Sequence, residues 1–143
     1  MATSQFQNLR TALVALISPI ADCVISAYPP YGNEWTREDR VWLAAIRSEQ
    51  SKLAFGGARA EDLTVTLIIY VPRYGGSGDD LAVVEERAEV ILAAIESDIR
   101  SDDTIGGSVM NADIDSFESE TVMSDTFGPL AVMEVTITAE ANL

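Results

Sequence analysis

Closely spaced carboxylates are the strongest candidates in this sequence for a catalytic or metal-binding site. They occur as close pairs at Asp79 and Asp80, at Asp102 and Asp103, and at Asp113 and Asp115. Two carboxylates can serve a glycosidase as acid and base, and such oxygen ligands also suit a hard cation such as calcium. The pairs show neither an EF-hand spacing nor a repeat, and with 23 acidic residues chance pairs are inevitable. Solvated turn and cap residues are therefore the favoured interpretation.

The other residue types that carry enzyme chemistry are scarce. The sequence has no histidine, so the commonest general base and metal ligand is missing. Its single lysine, Lys52, lies outside any phosphate-binding GxxxxGK motif. The glycines before Asp79 could hold a phosphate on backbone amides, but two aspartates follow directly and would repel it. We therefore expect neither an enzyme nor a bound cofactor or metal.

Cys23 is the single cysteine of the chain. One cysteine excludes an intrachain disulfide and a cysteine-based zinc site. It stands in an apolar segment without a neighbouring base, which favours a buried, inert thiol over a nucleophile.

Length and composition indicate one globular domain. The chain has 143 residues, and 48% of them are hydrophobic, which is enough for a single core. No apolar run approaches the roughly 18 residues of a membrane span. The first seven residues carry no positive charge, which argues against a signal peptide. We expect residues 1–143 to form one domain without membrane contact.

Negative charge is concentrated in one part of the chain. The segment from Asp79 to Asp125 holds 14 acids and two bases, a net charge of −12, out of −14 for the whole sequence. Such a surface repels nucleic acid. It is either a solvated face that maintains solubility or a wall that a polyanion passes without binding.

A strand and a helix between Asp62 and Gly107 form the expected core of the fold. Apolar residues alternate at period two along the strand, at Leu63, Val65, Leu67, Ile69 and Val71. After a Pro- and Gly-rich break, a helix follows with apolar spacing near 3.6, at Leu81, Val84, Ala88, Ile91, Leu92, Ile95 and Ile99. These two faces should pack on each other, with the remaining elements around them.

The flanking segments predict a second helix and further strands. Ser4 and Gln7 have the form of a capping box before a helix expected at about residues 4–20. Strands are expected at 23–28, 41–47, 108–117 and 132–143, with a helix as the open alternative for 41–47 because both of its faces are apolar. Loops are expected at 31–39, 48–60 and 118–128. The fold class is therefore α+β: two helices on one face of a mostly antiparallel or mixed sheet of four or five strands.

Basic and aromatic residues in the predicted connections are candidate contacts with partner proteins. Interfaces use aromatic and arginine side chains as anchors. The candidates are Lys52, Phe55, Arg59, Arg73, Tyr74 and Trp35.

Three segments resemble the tail terminator proteins of phages with long non-contractile tails, especially phages of actinobacteria. Residues 57–65, Gly-Ala-Arg-Ala-Glu-Asp-Leu-Thr-Val, look like the lead into the central strand of that family. Residues 100–107, followed by Val109, resemble its helix-to-strand turn. The alternating strand from Val132 to Leu143 is similar as well, so the resemblance covers mainly residues 54–143.

The resemblance implies a structural role in the virion. Such proteins form a six-membered ring on the head-proximal end of the tail tube, stop its polymerisation and join it to the head-neck proteins. The implied partners are other copies of the chain, the tail tube protein and a neck connector protein, assembled in the bacterial cytoplasm, while DNA passes through without specific binding. We expect an acidic lumen lined by part of the 79–125 segment, with Glu85, Glu86, Glu89 and Glu96 as the candidate channel or solvent-facing residues.

Two other classes stay open. One is a different ring component of the same particle, a head-tail joining or tail tube protein. The other is a small acidic enzyme or calcium-binding module, in which a bound ligand would raise the melting temperature.

Overall fold

A computed structural model describes residues 4–30, 38–52 and 59–142. At residues 51, 52 and 59 it describes the backbone alone. Two helices and five strands follow one another along the chain. They are α1 (Phe6–Ile17), β1 (Cys23–Ser26), β2 (Asp39–Lys52), β3 (Arg59–Pro72), α2 (Asp80–Ser101), β4 (Asn111–Ser124) and β5 (Gly128–Asn142).

The five strands form one mixed sheet in the order β1-β2-β3-β5-β4. β1 runs parallel to β2, and every other neighbouring pair is antiparallel. β3 lies at the centre, as predicted, and pairs with β5 without interruption from Ala60 to Pro72. The α+β class predicted from the sequence is confirmed. In the described part of the chain, neither helix is long and apolar enough to cross a membrane.

The core lies between the helices and one face of the sheet. The predicted alternation of β3 is confirmed, since Leu63, Val65, Leu67, Ile69 and Val71 are all buried on the helix side. Strand β5 supplies a matching row, and α2 buries its predicted apolar positions from Val84 to Ile99 against both strands. Leu81 is only partly buried. α1 closes the core beside α2 with Leu9, Leu13 and Ile17. The opposite face of the sheet carries no described helix, and we call it the helix-free face.

Helix α1 is shorter than the predicted 4–20, and the predicted capping box is wrong. Gln5 precedes the helix and makes no side-chain capping bond. The Ser4 hydroxyl instead donates to the carboxylate of Glu61 on β3. The Ser4 oxygen accepts from the Phe6 N–H at 3.2 Å, and not from the Gln7 N–H that a capping box requires.

The strands are longer than the sequence indicated, except for β1, which ends at Ser26. The segment 41–47 is a strand and not a helix, and it extends from Asp39 to Lys52. The predicted loop at 31–39 therefore ends before Asp39, and its residues 31–37 lie outside the described part. The predicted connection 48–60 is wrong at both ends, because Ser48 to Lys52 pair with Arg59 to Leu63. Its residues 53–58 lie outside the described part.

The predicted loop at 118–128 is also wrong over most of its length. Residues Glu118 to Ser124 continue β4 and pair with Gly128 to Glu134 of β5. Their polar composition reflects exposure and not irregular structure, because β4 is at the edge of the sheet and its side chains are mostly exposed.

Candidate assembly surfaces

The predicted basic and aromatic contact residues lie at two distant ends of the sheet. Lys52 pairs with Arg59 at one end of the β2–β3 hairpin, whereas Arg73 and Tyr74 follow the other end of β3. β3 has 14 residues, which at roughly 3.3 Å per residue separates the two groups by about 45 Å. The structure therefore does not bring them into one surface. Phe55 and Trp35 lie outside the described residues.

Arg73 has an internal partner. Its Nη1 donates to Oδ1 of Asp39 at 2.9 Å, and Nε of Arg87 donates to the other oxygen of the same carboxylate at 2.9 Å. Asp39 is 8% exposed, so two guanidinium groups compensate a buried charge. Arg87 also donates to the carbonyl of Ala21 at 2.7 Å. This cluster ties β2, α2 and the chain before β1 together.

The thiol of Cys23 lies beside this cluster. Burial raises its pKa to about 11, and the charge of Asp39 acts in the same direction. A thiol of that pKa is almost wholly protonated at neutral pH, and only the thiolate is a nucleophile. This finding supports an inert thiol, although Cys23 is only partly buried and not fully buried as predicted.

Tyr74 belongs to an aromatic cluster on the helix-free face. Its ring meets Phe127 edge-on at 5.6 Å between centroids, Phe127 meets Tyr70 at 5.9 Å, and Tyr70 lies 6.0 Å from Trp42. Burial raises the pKa of Tyr70, with Tyr74 adding to the effect. Tilted and edge-on ring pairs of this kind stabilise packing. Tyr74 therefore stabilises the fold through this cluster, in addition to its predicted role as a contact residue for partner proteins.

The predicted acidic residues of α2 lie in two directions. At 100° per residue, Glu85, Glu89 and Glu96 share one side of the helix, and Glu86 lies about 100° away. Glu85 accepts a hydrogen bond from Thr121 of β4 at 3.0 Å, which places that side next to the sheet edge. Glu96 is half-buried and pairs with Arg100 at 3.6 Å, while Glu85, Glu86 and Glu89 are exposed.

The helix-free face is a second acidic surface. The sequence analysis predicted an acidic surface only from the 79–125 segment and did not identify this one. Cross-strand pairs bring acids from distant parts of the chain into one row, since Glu49 lies opposite Asp62, and Asp62 opposite Glu140. A further row places Glu118 opposite Glu134. Like charges directly opposite each other are unfavourable. The alternation of Glu and Thr with apolar residues along β5 is the sequence pattern that indicates this polar, acidic face.

Glu61 is a buried carboxylate that sequence reasoning also missed. It is 0% exposed and accepts hydrogen bonds from the hydroxyls of Ser4 and Ser48 and from the Gln5 N–H at 2.8 Å. Burial acts to raise its pKa, but these hydrogen bonds outweigh burial and the pKa is lowered. The group fastens the start of α1 to β2 and β3, which is a structural role.

Exposed apolar side chains concentrate at the β4 edge. Of the eight large hydrophobic side chains exposed in the described residues, four lie on or directly before β4: Met110, Phe117, Val122 and Met123. Phe117 is 55% exposed and faces the helix side. It borders a groove of about 400 Å³ between β4 and the last turns of α2, where Glu96, Ile99 and Arg100 form the other wall. Val122 lies on the helix-free face and Met123 on the helix side, about six residues from Phe117, so these side chains are spread along the strand on both of its faces.

Within residues 4–30, 38–52 and 59–142, no group of three or more His, Cys, Asp or Glu side chains is arranged to hold a metal ion. One member of each of the acid pairs at 79–80 and 102–103 makes local hydrogen bonds. Asp80 accepts from the Ser77 N–H at 3.0 Å. Asp102 accepts from the Thr104 hydroxyl at 2.7 Å and from the Gly106 N–H at 2.9 Å, and these hydrogen bonds lower its pKa.

Comparison with known proteins includes a weak structural likeness to a virion protein. No protein-family model matches the chain, and no curated protein matches its sequence. A chain of the "Virion of native gene transfer agent (GTA) particle" is similar at 12% sequence identity and a TM-score of 0.43, over 98% of this chain and 92% of that chain.

Proposed function

We propose that this chain is a structural protein of a phage-like virion, and that it caps the head-proximal end of a tail tube as a ring. In this proposal the chain is not an enzyme. It ends tube polymerisation and joins the tail to a neck connector protein.

The observation that carries the proposal is the β4 edge. In the described part of the chain, β4 is a 14-residue strand at the border of the sheet. Phe117 is exposed beside an open groove on the helix side, and Val122 and Met123 are exposed further along the strand. An unpaired edge is a template for pairing with another chain. Such a surface fits a protein whose work is assembly.

The segments that resemble tail terminators indicate which kind of assembly we propose, a ring at the end of a tail tube. They correspond to the central strand β3, to the turn between α2 and β4, and to β5 beside β3. They therefore belong to contiguous parts of the fold, including the turn that leads into the exposed edge strand.

The charge distribution supports passage of DNA through the ring. Contacts between cations and phosphates release counterions and make DNA adhere, so an acidic lumen favours free passage. Two acidic surfaces are available, the α2 side with Glu85, Glu89 and Glu96 and the helix-free face with Glu118 and Glu134. We propose that one of them lines the channel.

The test is to image the purified chain by negative stain, alone and after mixing with isolated tail tubes. We expect discrete particles in the absence of tubes, and density at one end of each tube in the mixture, with further tube growth blocked. A chain that polymerises by itself into long tubes would indicate a tube protein. A chain that does not bind the ends of the tubes would overturn the terminator role.

A further inference from the structure

In the described part of the chain, the sheet has two edges without a partner strand. No described strand pairs with the outer side of β4 over its 14 residues. At the other border, β1 covers only Asp39 to Trp42 of β2. The next ten residues of β2, from Leu43 to Lys52, pair with β3 on one side, and no described strand pairs with them on the other. Each edge leaves a row of backbone groups open to a second strand.

The directions of these strands permit pairing between copies. β2 and β3, β3 and β5, and β5 and β4 are antiparallel pairs, so β4 runs opposite to β2. When a second copy continues the sheet with its helices on the same side, its β2 meets β4 in antiparallel orientation. Joining different edges of two identical chains is a heterologous contact, which generates a ring if the rotation closes.

The charges on the two edges are complementary on the helix-free face. Arg47 of β2 is exposed there, in the same row as Thr64. Six arginine side chains are described, and five have a partner through an ion pair or a hydrogen bond: Arg10, Arg40, Arg73, Arg87 and Arg100. Arg47 makes no hydrogen bond or ion pair to another described residue. A cation is thus available beside the free part of β2.

The β4 edge presents the matching anions. Glu118 and Glu120 are exposed on the same helix-free face. No ion pair between described residues includes either of them, and Glu118 lies opposite the like charge of Glu134. An arginine from a neighbouring strand would offset that repulsion. Pairing of β4 with a second β4 would instead bring acid against acid, so the charges disfavour a symmetric dimer through this edge.

We propose that β4 of one subunit pairs antiparallel with residues 43–52 of β2 in the next subunit, with Arg47 against Glu118 and Glu120. On the helix side, Phe117 is covered by the neighbouring β2. This inference rests on the proposed ring and names the surfaces that close it. It requires a heterologous contact repeated around the ring, with the helices of all subunits on one side.

A charge exchange tests the proposal. The variants are Arg47→Glu, the double variant Glu118→Arg/Glu120→Arg, and the triple variant that combines them. Assembly is measured by analytical ultracentrifugation over a range of protein concentrations, and monomer folding by circular dichroism. Glu86→Arg/Asp103→Arg, on α2 and directly after it, is the matched control, since it makes the same charge change at two exposed sites outside the proposed edges and outside both proposed channel surfaces.

We expect Arg47→Glu and the β4 double variant each to raise the concentration for half-assembly by about tenfold or more. The triple variant should restore assembly, and the matched control should leave it unchanged. Rings that form equally well in every variant would overturn the edge pairing while leaving the cap function intact. A wild-type chain that remains monomeric in solution and binds tube ends singly would overturn it as well. Rings that assemble through these edges but ignore tail tubes would support the pairing and refute the cap.

Discussion

Glu118 of β4 lies directly opposite Glu134 of β5, and both carboxylates are exposed on the helix-free face. Within one subunit this pair is unfavourable, because like charges face each other across neighbouring strands. The chain thus retains a local repulsion at the edge that we propose to be an interface.

Replacing Glu134 by glutamine should stabilise the isolated subunit. The substitution keeps the shape of the side chain and removes one of the two like charges, so we expect a gain of about 0.2–1 kcal/mol in the free energy of unfolding. Urea denaturation at low ionic strength is the measurement, with Glu86→Gln on α2 as control. The gain should shrink at high salt, since salt screens exposed charges. An equal gain in the control would show that net charge, and not this pair, is responsible.

Removing the carboxylate of Asp39 should be strongly destabilising. Asp39→Asn leaves the partly buried guanidinium groups of Arg73 and Arg87 without a counter-charge, which we expect to cost about 3 kcal/mol. Thermal and urea denaturation measure the loss. Asp22→Asn at an exposed position nearby should change stability by less than about 0.5 kcal/mol. A similar small change for Asp39→Asn would mean that the cluster does not stabilise the fold.

Glu61 should make stability depend on pH in the acid range. Its pKa in the folded protein lies below the reference value of 4.5, so its contribution is present above that pH and is lost as pH falls through the folded-state pKa. Glu61→Gln should cost about 1–3 kcal/mol at neutral pH, and the difference from wild type should narrow below about pH 4. Unfolding curves at several pH values give both quantities. A difference that stays constant down to pH 3 would contradict the assignment.

Two glycines with the same backbone conformation should respond differently to alanine. Gly128 has φ +69° and Gly75 has φ +73°, but a Cβ at position 128 would lie 2.4 Å from the carbonyl oxygen of Arg73, whereas one at position 75 meets nothing within 4 Å. We therefore expect Gly75→Ala to cost about 1 kcal/mol from strain alone, and Gly128→Ala clearly more. The free energy of unfolding is measured by urea denaturation. An equal loss in both variants would show that the backbone near Arg73 shifts to accommodate the new Cβ without a free-energy cost.

The sequence by itself determined the core of this protein. The period-two alternation of β3 and β5 and the helical spacing of α2 follow from burial of one face, and burial requires a periodic apolar pattern that is visible in the chain. The α+β class and the central position of β3 could be predicted for that reason. The predicted inert thiol of Cys23 is consistent with its raised pKa.

Tertiary structure decided where strands end and which polar residues meet. Glu118 to Ser124 have the composition of a loop, yet they form a strand because β5 supplies the hydrogen-bonding partner, and side chains at an exposed edge need not be apolar. Ser4 donates its hydroxyl proton to Glu61, since a buried carboxylate 57 residues away needs donors, and no local spacing in the sequence indicates that contact. The free edges and the rows of acids depend on strand order and register, which are set by contacts between segments far apart in the chain and have no periodic pattern within any one of them.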